Sequence, residues 1–170
     1  GYIETLLEGK YRPGHFQGVC RIVDKLLSAV LPNTLFLGQK DYQQCIVIKK
    51  MMDLKHYPIH LQVCETLREK DGLAMSSRNL RLNAEEKNLA LNLIKSLQKI
   101  KATIQAGNTT LIKQEAFEKL SRLGFKVDYI EIADASDLLP ISVWDGKQKA
   151  VVLVAATLNE VRLIDNLLLN

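Results

Sequence analysis

A short polar stretch near the middle of the chain combines the groups that most often bind oxygen-rich anions. Residues 71–79 read Asp-Gly-Leu-Ala-Met-Ser-Ser-Arg-Asn and come directly before a strong helical pattern. Ser76 and Ser77 offer hydroxyl donors, and Arg78 adds a permanent positive charge with several further donors. The stretch therefore predicts a loop that handles anionic groups such as phosphates.

A second polar cluster lies upstream, between an apolar strand-like run and an amphipathic helical pattern. Residues 38–44 read Gly-Gln-Lys-Asp-Tyr-Gln-Gln. Ligands of parallel α/β sheets bind beyond the carboxyl ends of the strands, and both clusters follow predicted strand ends. Together they favour a nucleotide site. Taken alone, Ser76–Asn79 also fits a polar loop that caps a helix, and Lys40–Asp41 also fits a solvated pair with a helix cap.

Composition limits the functional classes that the chain can belong to. Its 170 residues are 47% hydrophobic and 25% charged, which is ordinary for a globular protein with a buried core. The net charge of +4 fits an enzyme for anionic substrates. No Lys/Arg block is interleaved with aromatic residues, so we expect no nucleic-acid binding. No apolar run approaches the roughly 18–20 residues that span a membrane, so we expect no membrane partner.

The cysteines suggest a cellular compartment for the protein, and the first residues suggest that the chain is a fragment. Cys20, Cys45 and Cys64 are widely spaced within apolar patterns, which predicts reduced core residues in a cytoplasmic protein rather than disulfides or a CxxC metal site. The chain starts at Gly1 without methionine or a signal-peptide pattern, which suggests a fragment. No metal-binding spacing is recognised among the acidic residues Glu131, Asp134 and Asp137.

The first part of the chain predicts a parallel α/β unit. Residues 16–31 have helical periodicity, residues 34–37 form a short apolar strand that ends at Gly38, and Asp41 would cap a helix that reaches about Lys55. Residues 59–64 alternate like a second strand. One helix and two strands cannot easily cover a parallel sheet on both faces, so a missing N-terminal portion is expected.

The character of the sequence changes after Asn79. Asn83 and Glu86 form a capping signal for a helix that reaches about Ala106, and a second helix covers about 110–123. Three strand-like runs follow at 126–133, 149–156 and 160–165. The predicted fold is α/β, with part of a nucleotide-binding domain at 1–67, a hinge loop at 68–80 and a small α+β domain at 81–170, in which two helices pack on an antiparallel sheet.

Several motifs together resemble one known family, the pantothenate synthetases. They are Leu7-Glu8-Gly9 with Arg12-Pro13-Gly14-His15-Phe16-Gln17-Gly18-Val19, then residues 38–44 and 71–79, and finally Arg162-Leu163-Ile164-Asp165-Asn166. The match covers essentially the whole chain in the right order and spacing. This family is similar to the class I aminoacyl-tRNA synthetases and nucleotidyltransferases, with a Rossmann-like domain and a smaller domain that closes over the site. Residues 75–78 resemble a variant of the mobile KMSKS loop of that superfamily.

The resemblance implies a two-step reaction. ATP and pantoate, with Mg²⁺, would give pantoyl adenylate and pyrophosphate, and the amine of β-alanine would then attack the adenylate to give pantothenate and AMP. Such chemistry needs positioning and charge stabilisation more than covalent catalysis. A homodimer in the cytoplasm is the expected assembly.

The resemblance also assigns roles to individual residues. Lys40 would hold phosphate oxygens, and the loop residues would close on the triphosphate, which gives catalytic roles to Lys40, Ser76, Ser77 and Arg78. Gly38 and Asp41 would contact the ribose, and the backbone of Leu67 would contact the adenine. The full ATP-binding set consists of Gly38, Gln39, Lys40, Asp41, Leu67, Met75, Ser76, Ser77 and Arg78. Gln44 would hydrogen-bond pantoate, and the remaining substrate-site residues are Arg12 and His15.

The chain departs from the family pattern in three places, which are a missing N-terminal stretch, Gln39 and Glu65. The upstream histidine motif that handles ATP phosphates is absent, and so is the upstream glutamine shared by pantoate and β-alanine. Gln39 stands where glutamate is usual, and Glu65 stands where proline is common. The first departure predicts weak or absent turnover by this chain alone. The competing hypotheses are an inert closing or dimerising fragment and a related nucleotidyltransferase or tRNA-charging protein. The motifs at 12–19 and 38–44 and the weak basic charge argue against the latter.

Overall fold

The chain folds as two compact units. A computed structural model describes all residues from Gly1 to Asn170. The first unit is Gly1–Thr66 and the second is Leu67–Asn170. No helix is both long enough and apolar enough to span a lipid bilayer.

The first unit contains three helices and two strands in alternation. Its elements are α1 (Leu7–Tyr11), α2 (His15–Val30), β1 (Thr34–Gly38), α3 (Tyr42–Leu54) and β2 (His60–Cys64). The strands pair in parallel from Thr34 opposite His60 to Gly38 opposite Cys64, with α3 as the crossover between them. This confirms the predicted strand–helix–strand arrangement.

The core of the first unit is small. Leu27 on α2, Ile48 and Met52 on α3, and Ile59 before β2 are buried together. Several other apolar side chains of the unit are exposed to solvent, among them Phe36 in the middle of β1 at 65%. Leu35, Leu37 and Leu61 of the two strands pack against this core, whereas Phe36 and Val63 remain exposed within this unit.

The second unit has two long helices and an antiparallel sheet. Its elements are α4 (Ala84–Thr103), β3 (Gly107–Asn108), α5 (Thr110–Arg122), β4 (Lys126–Asp134), β5 (Val143–Trp144), β6 (Ala150–Leu158) and β7 (Val161–Leu168). The main sheet has the order β4–β6–β7, and the short strands β3 and β5 pair separately. This confirms the predicted α+β arrangement, with two differences: α4 ends at Thr103 rather than at about Ala106, and Gly107 and Asn108 form β3.

The second unit buries a much larger apolar core than the first. Strand β6 is buried almost throughout, and Val152, Val154 and Ala156 share a core with Leu97 and Leu120 on the two helices. Trp144 lies in the same core and donates from Nε1 to the carbonyl of Gln148 at 2.9 Å. The alternation of strand residues and the 3.6-residue period of the helices place these side chains on one face each.

Two helix caps that look alike in sequence differ in the structure. Asn83 and Glu86 form the full capping box: Glu86 N donates to Asn83 Oδ1 at 2.9 Å, and Asn83 N donates to Glu86 Oε2 at 2.8 Å. Asp41 occupies the position before α3, but its side chain accepts no capping hydrogen bond. The predicted Asp41 cap is therefore wrong, because a short 3-10 turn over Gln39–Asp41 leads directly into the helix.

The cysteines also correct one prediction. All three thiols are free, as expected, but Cys64 is exposed and Cys20 only half-buried, whereas Cys45 is buried. Cys64 lies at the end of β2, where the strand leaves the small core of the first unit.

Candidate functional site

The first candidate segment, Gly38–Gln44, begins at the carboxyl end of a parallel strand. We call it the strand-end segment. Gly38 closes β1 opposite Cys64, and α3 starts at Tyr42 after the 3-10 turn. Because the strands are parallel, the residues that follow Cys64 leave the sheet at the same edge. The strand-end segment therefore occupies the edge at which ligands of such sheets bind.

The predicted ligand-binding side chains of this segment are accessible to different degrees. Gly38 and Asp41 are exposed, whereas Gln39, Lys40 and Gln44 are half-buried. Lys40 lies in the turn just before α3, where its charge adds to the positive end of the helix dipole. A compact cation at a helix N-terminus is a suitable environment for phosphate oxygens.

A buried glutamine inside the segment has a role that sequence reasoning did not assign. Gln43 is 3% exposed. Its Nε2 donates to the carbonyls of Ile3 at 2.7 Å and Leu6 at 3.0 Å, and its Oε1 accepts from Glu8 N at 2.9 Å. Gln43 therefore ties the first residues of the chain to α3, and it is structural, whereas its neighbour Gln44 remains accessible.

Cys45 supports the strand-end segment from behind. Its Sγ lies 3.5 Å from the carbonyl oxygen of Gly38, to which the thiol donates. Burial, with a smaller contribution from the negative charge of Asp41, raises the pKa of the Cys45 thiol to about 11. The thiol is thus a protonated donor at neutral pH rather than a nucleophile.

Arg12 and His15 share the turn between α1 and α2. His15 N donates to the carbonyl of Arg12 at 3.0 Å, and the His15 ring lies 5.1 Å from that of Phe16 between centroids. The Arg12 guanidinium is 41% exposed and 3.9 Å from a carboxylate oxygen of Glu8. The structure thus brings the two predicted substrate-site residues together on one turn of the first unit.

The second candidate segment covers residues 67–79, and we call it the serine loop. It starts as a small hairpin in which Met75 N donates to the carbonyl of Leu67 at 2.9 Å and Glu69 N to that of Leu73 at 2.8 Å. Leu73 and Ala74 are 5% exposed, and Leu73 belongs to the core of the second unit. The loop is therefore a folded hairpin in this structure; that it moves or acts as a hinge stays a prediction.

Side-chain contacts fix the two ends of this hairpin. Arg68 forms a bidentate ion pair with Asp165 on β7, at 2.7 and 3.0 Å, and also donates to the carbonyl of Gly72 at 3.1 Å. The Asn79 amide donates to Glu69 at 2.7 Å and to the carbonyl of Ala74 at 3.1 Å. The shape of the serine loop therefore depends on residues that the sequence analysis gave no role.

The hydroxyl and guanidinium groups of the serine loop lie on one 3-10 turn and its N-cap residue. Ser76 Oγ accepts from Arg78 N at 3.2 Å and begins a 3-10 turn over Ser77–Arg81. Ser77 and Arg78 are exposed, Met75 is 49% exposed, and Arg78 makes no salt bridge. The predicted cluster Met75–Arg78 is thus gathered on one turn, with its cation available to an anionic ligand.

The chain itself offers no obvious cation site. No group of three or more His, Cys, Asp or Glu side chains is placed to hold a metal ion. Mg²⁺ prefers oxygen ligands and commonly binds through substrate phosphates with few protein ligands. The residues present do not fit a protein-held Mg²⁺ site.

Solved structures define the class to which this fold belongs. The chain is similar to the pantothenate synthetase of Thermus thermophilus, with a TM-score of 0.92 and 37% identity over 99% of this chain and 61% of that one. It is also similar to the pantoate-β-alanine ligase of Francisella tularensis, solved in complex with "beta-gamma ATP" and β-alanine. The TM-score is 0.77, with 32% identity over 99% of this chain and 56% of that one. The fold is that of the α/β pantothenate synthetases.

Sequence comparisons narrow the class to a family. The family model "Pantoate-beta-alanine ligase" matches residues 2–168, and the chain therefore belongs to that family. The pantothenate synthetase of Bacteroides thetaiotaomicron is 40% identical over 168 residues, which are 97% of this chain and 59% of that protein. That of Porphyromonas gingivalis is 38% identical over 98% of this chain and 60% of its own length. The chain thus spans about three-fifths of the length of these relatives.

Proposed function

We propose that this protein takes part in the ATP-dependent condensation of pantoate with β-alanine through a pantoyl adenylate. The observation that carries the proposal is the exposed turn Ser76–Ser77–Arg78, whose guanidinium has no ion-pair partner, in a chain that belongs to the pantoate-β-alanine ligase family. The ATP-type ligand and β-alanine in the Francisella tularensis relative support ATP and β-alanine as substrates.

The proposed reaction has two steps that balance without redox chemistry. A carboxylate oxygen of pantoate attacks the α-phosphorus of ATP, and the bond to the bridging oxygen breaks to release pyrophosphate. The neutral amine of β-alanine then attacks the acyl carbon, AMP leaves, and the amine loses a proton to solvent. Charge builds on phosphate oxygens in the first step, so donors fixed around them lower the barrier.

In this proposal Lys40, Ser76, Ser77 and Arg78 act on the phosphates. Lys40 is a compact cation before α3 and would hold phosphate oxygens. The two hydroxyls and the guanidinium of the serine loop would stabilise the departing pyrophosphate through several charge-assisted hydrogen bonds. Mg²⁺ would arrive bound to ATP and screen the charge of its phosphates.

The other assigned residues would orient the reactants. Gly38 and Asp41 would contact the ribose of the nucleotide, and the backbone of Leu67 would contact the adenine. Gln39 and Met75 would be further members of the ATP-binding set. The carbonyl of Leu67 already accepts from Met75, but a carbonyl oxygen has a second lone pair. Gln44, Arg12 and His15 would bind the carboxylic acid substrates, because amide, guanidinium and imidazole groups donate to carboxylate and hydroxyl oxygens.

An inert fragment is the second candidate, and one observation favours it. The chain covers only 59% of the Bacteroides thetaiotaomicron relative, so the remaining part of that protein has no counterpart in these residues. We therefore propose that the 170 residues alone turn over weakly or not at all. A cytoplasmic homodimer remains part of the proposal.

An AMP-release assay on a chimera tests this function. The chain would replace the matched 168 residues of the Bacteroides thetaiotaomicron protein. AMP release that requires both pantoate and β-alanine is the expected result, with little release by the chain alone. A folded chimera that releases AMP without either acid would overturn the proposed reaction. Robust turnover by the chain alone would overturn the proposed inactivity.

A further inference from the structure

We infer that the ion pair between Arg68 and Asp165 positions the serine loop for ATP, which makes both residues positioning residues. The inference rests on the proposed function for the ATP part of its claim. The part that concerns the shape of the loop stands on the geometry of the second unit alone.

The guanidinium of Arg68 joins three parts of the structure at once. Its Nη1 and Nη2 bind the two oxygens of Asp165 at 2.7 and 3.0 Å, and Nη1 also donates to the carbonyl of Gly72 at the tip of the hairpin. A lysine could not make this set of bonds, because an ammonium group has no planar fork. Arg68 therefore links the tip of the loop to the sheet as well as carrying a charge.

Asp165 is a rigid anchor for that link. It is 4% exposed and lies in the middle of β7, opposite Val154 of β6. Its Oδ1 also accepts from Asn166 N at 2.8 Å, so both carboxylate oxygens are engaged. A buried carboxylate with fixed partners cannot follow a moving arginine, and the hairpin is held in one place relative to the sheet.

The position of Arg68 in the chain connects this anchor to the proposed ATP contacts. Leu67, assigned to adenine, directly precedes Arg68. Gly72, at the tip, has φ +97°, a conformation that residues other than glycine rarely adopt. On the far side, Glu69 and Asn79 close the base of the loop next to Ser76–Arg78. The contacts of Arg68 therefore hold both the backbone of Leu67 and the start of the 3-10 turn at Ser77 in position.

A loop that is already ordered before ATP binds loses less conformational entropy on binding, and ATP binding would therefore be stronger. Asp165 would then affect nucleotide affinity without touching the nucleotide. Cutting the ion pair should loosen the hairpin and weaken ATP binding together, while the sheet remains folded.

Hydrogen–deuterium exchange and MgATP binding on the whole chain test the inference. The variants are Asp165→Asn, which removes the anionic partner, and Arg68→Lys, which keeps the positive charge but loses the fork. We expect exchange of the amides of Glu69, Gly72 and Met75 to rise by about tenfold or more, and the Kd for MgATP to rise by about tenfold. Amides of β4 and β6 should exchange as in the unmodified chain. If Asp165→Asn unfolds the unit, Arg68→Lys carries the test.

Asp128→Asn is the matched control. Asp128 on β4 binds Arg162 of β7 at 2.7 Å and is also largely buried, at 14% side-chain exposure. This pair belongs to the same sheet as Asp165, but it links two strands of that sheet rather than the sheet and the serine loop. The control should leave loop exchange and the Kd for MgATP unchanged, so a general weakening of the sheet would be recognised.

Each outcome decides the inference. Loop exchange that rises no more than in Asp128→Asn overturns it, and so does an unchanged Kd for MgATP in a loosened loop. If the unmodified chain binds no ATP, the proposed function fails for this chain. Loop exchange alone then decides whether Arg68 and Asp165 hold the hairpin.

Discussion

The two polar segments are held in place by different means. The strand-end segment is held by its neighbours in sequence: β1 ends at Gly38, a single 3-10 turn follows, and α3 begins at Tyr42. The serine loop is held by side chains from far away, above all by Asp165, which is 97 residues from Arg68. Gln43 of the strand-end segment also bonds to Ile3, Leu6 and Glu8, but the shape of the serine loop depends on an ion pair between residues 97 positions apart.

This difference indicates how each of the two segments should respond to mutation. A segment defined by local backbone geometry keeps its shape as long as its strand and helix remain folded. A loop fixed by one ion pair and one amide can be loosened while the rest of its unit stays intact, because local opening costs less than global unfolding. Mutations that remove one contact at a time should therefore affect the two segments differently.

Shortening a buried core side chain in either unit should destabilise that unit selectively, and this is the largest effect we expect. Ile48→Ala in the first unit and Leu97→Ala in the second both remove fully buried side chains. Each should lower the free energy of unfolding of its own unit by about 3 kcal/mol, through lost burial and a cavity. Hydrogen–deuterium exchange resolves the units. Equal acceleration in both units with either variant would contradict the division.

Asn79→Ala should loosen the serine loop specifically. The amide donates to Glu69 and to the carbonyl of Ala74, and the side chain is 3% exposed. Its loss leaves two acceptors without a donor, so we expect about 2 kcal/mol less stability for the loop. Exchange at the amides of residues 69–79 provides the measurement. Unchanged loop exchange would mean that the hairpin holds its shape without the amide.

Alkaline pH should weaken the contact behind the strand-end segment. The pKa of Cys45 is raised from 9.0 to about 11. The folded state therefore prefers the neutral thiol, and this contribution is complete below pH 9 and is lost as pH rises toward 11. Urea unfolding at about pH 8 and about pH 10.5 should show the unmodified chain losing about 2 kcal/mol more than Cys45→Ala. The same loss in both proteins would exclude the thiol as the cause.

The two helix caps should respond unequally, and this is the smallest effect. Asn83→Ala removes a capping box and should lower stability by about 1 kcal/mol. Asp41→Ala should leave stability nearly unchanged, because its side chain makes no cap bond, although it should weaken ATP binding. Thermal unfolding of both variants provides the measurement. An equal loss of stability would show that Asp41 caps α3 in solution.

Much of the fold follows from sequence periodicity and end signals. The long helix α4 was predictable because the capping signal at Asn83 and Glu86 forms as expected, and the strands β4, β6 and β7 follow from their apolar runs. Asp41 has the same residue-type signal as Asn83 but fails as a cap, because the turn before α3 is set by the strand end. Residue type alone could not distinguish the two.

The residues that hold the candidate site in place were less predictable from the sequence than the residues assigned to ligand binding. Lys40, Ser76, Ser77 and Arg78 stand out because polar residues cluster next to strand ends. The partner of Arg68 was not readable, since nothing local links residues 97 positions apart. Asp165 lies in a C-terminal motif that the sequence resemblance singled out without a role. Gln43 and Gln44 are adjacent and chemically identical, and only the packing of α3 shows which one is buried.

Equilibrium binding of MgATP to the chain tests the central proposal, that Lys40 and Arg78 each contribute to ATP binding. Lys40→Met and Arg78→Met would be compared with two control variants of exposed cations, Lys50→Met on α3 and Arg81→Met at the end of the 3-10 turn Ser77–Arg81. The account predicts that the first two weaken binding by about tenfold each, with thermal unfolding unchanged, and that the controls bind normally. A folded chain without ATP affinity, or equal losses in the controls, would contradict it.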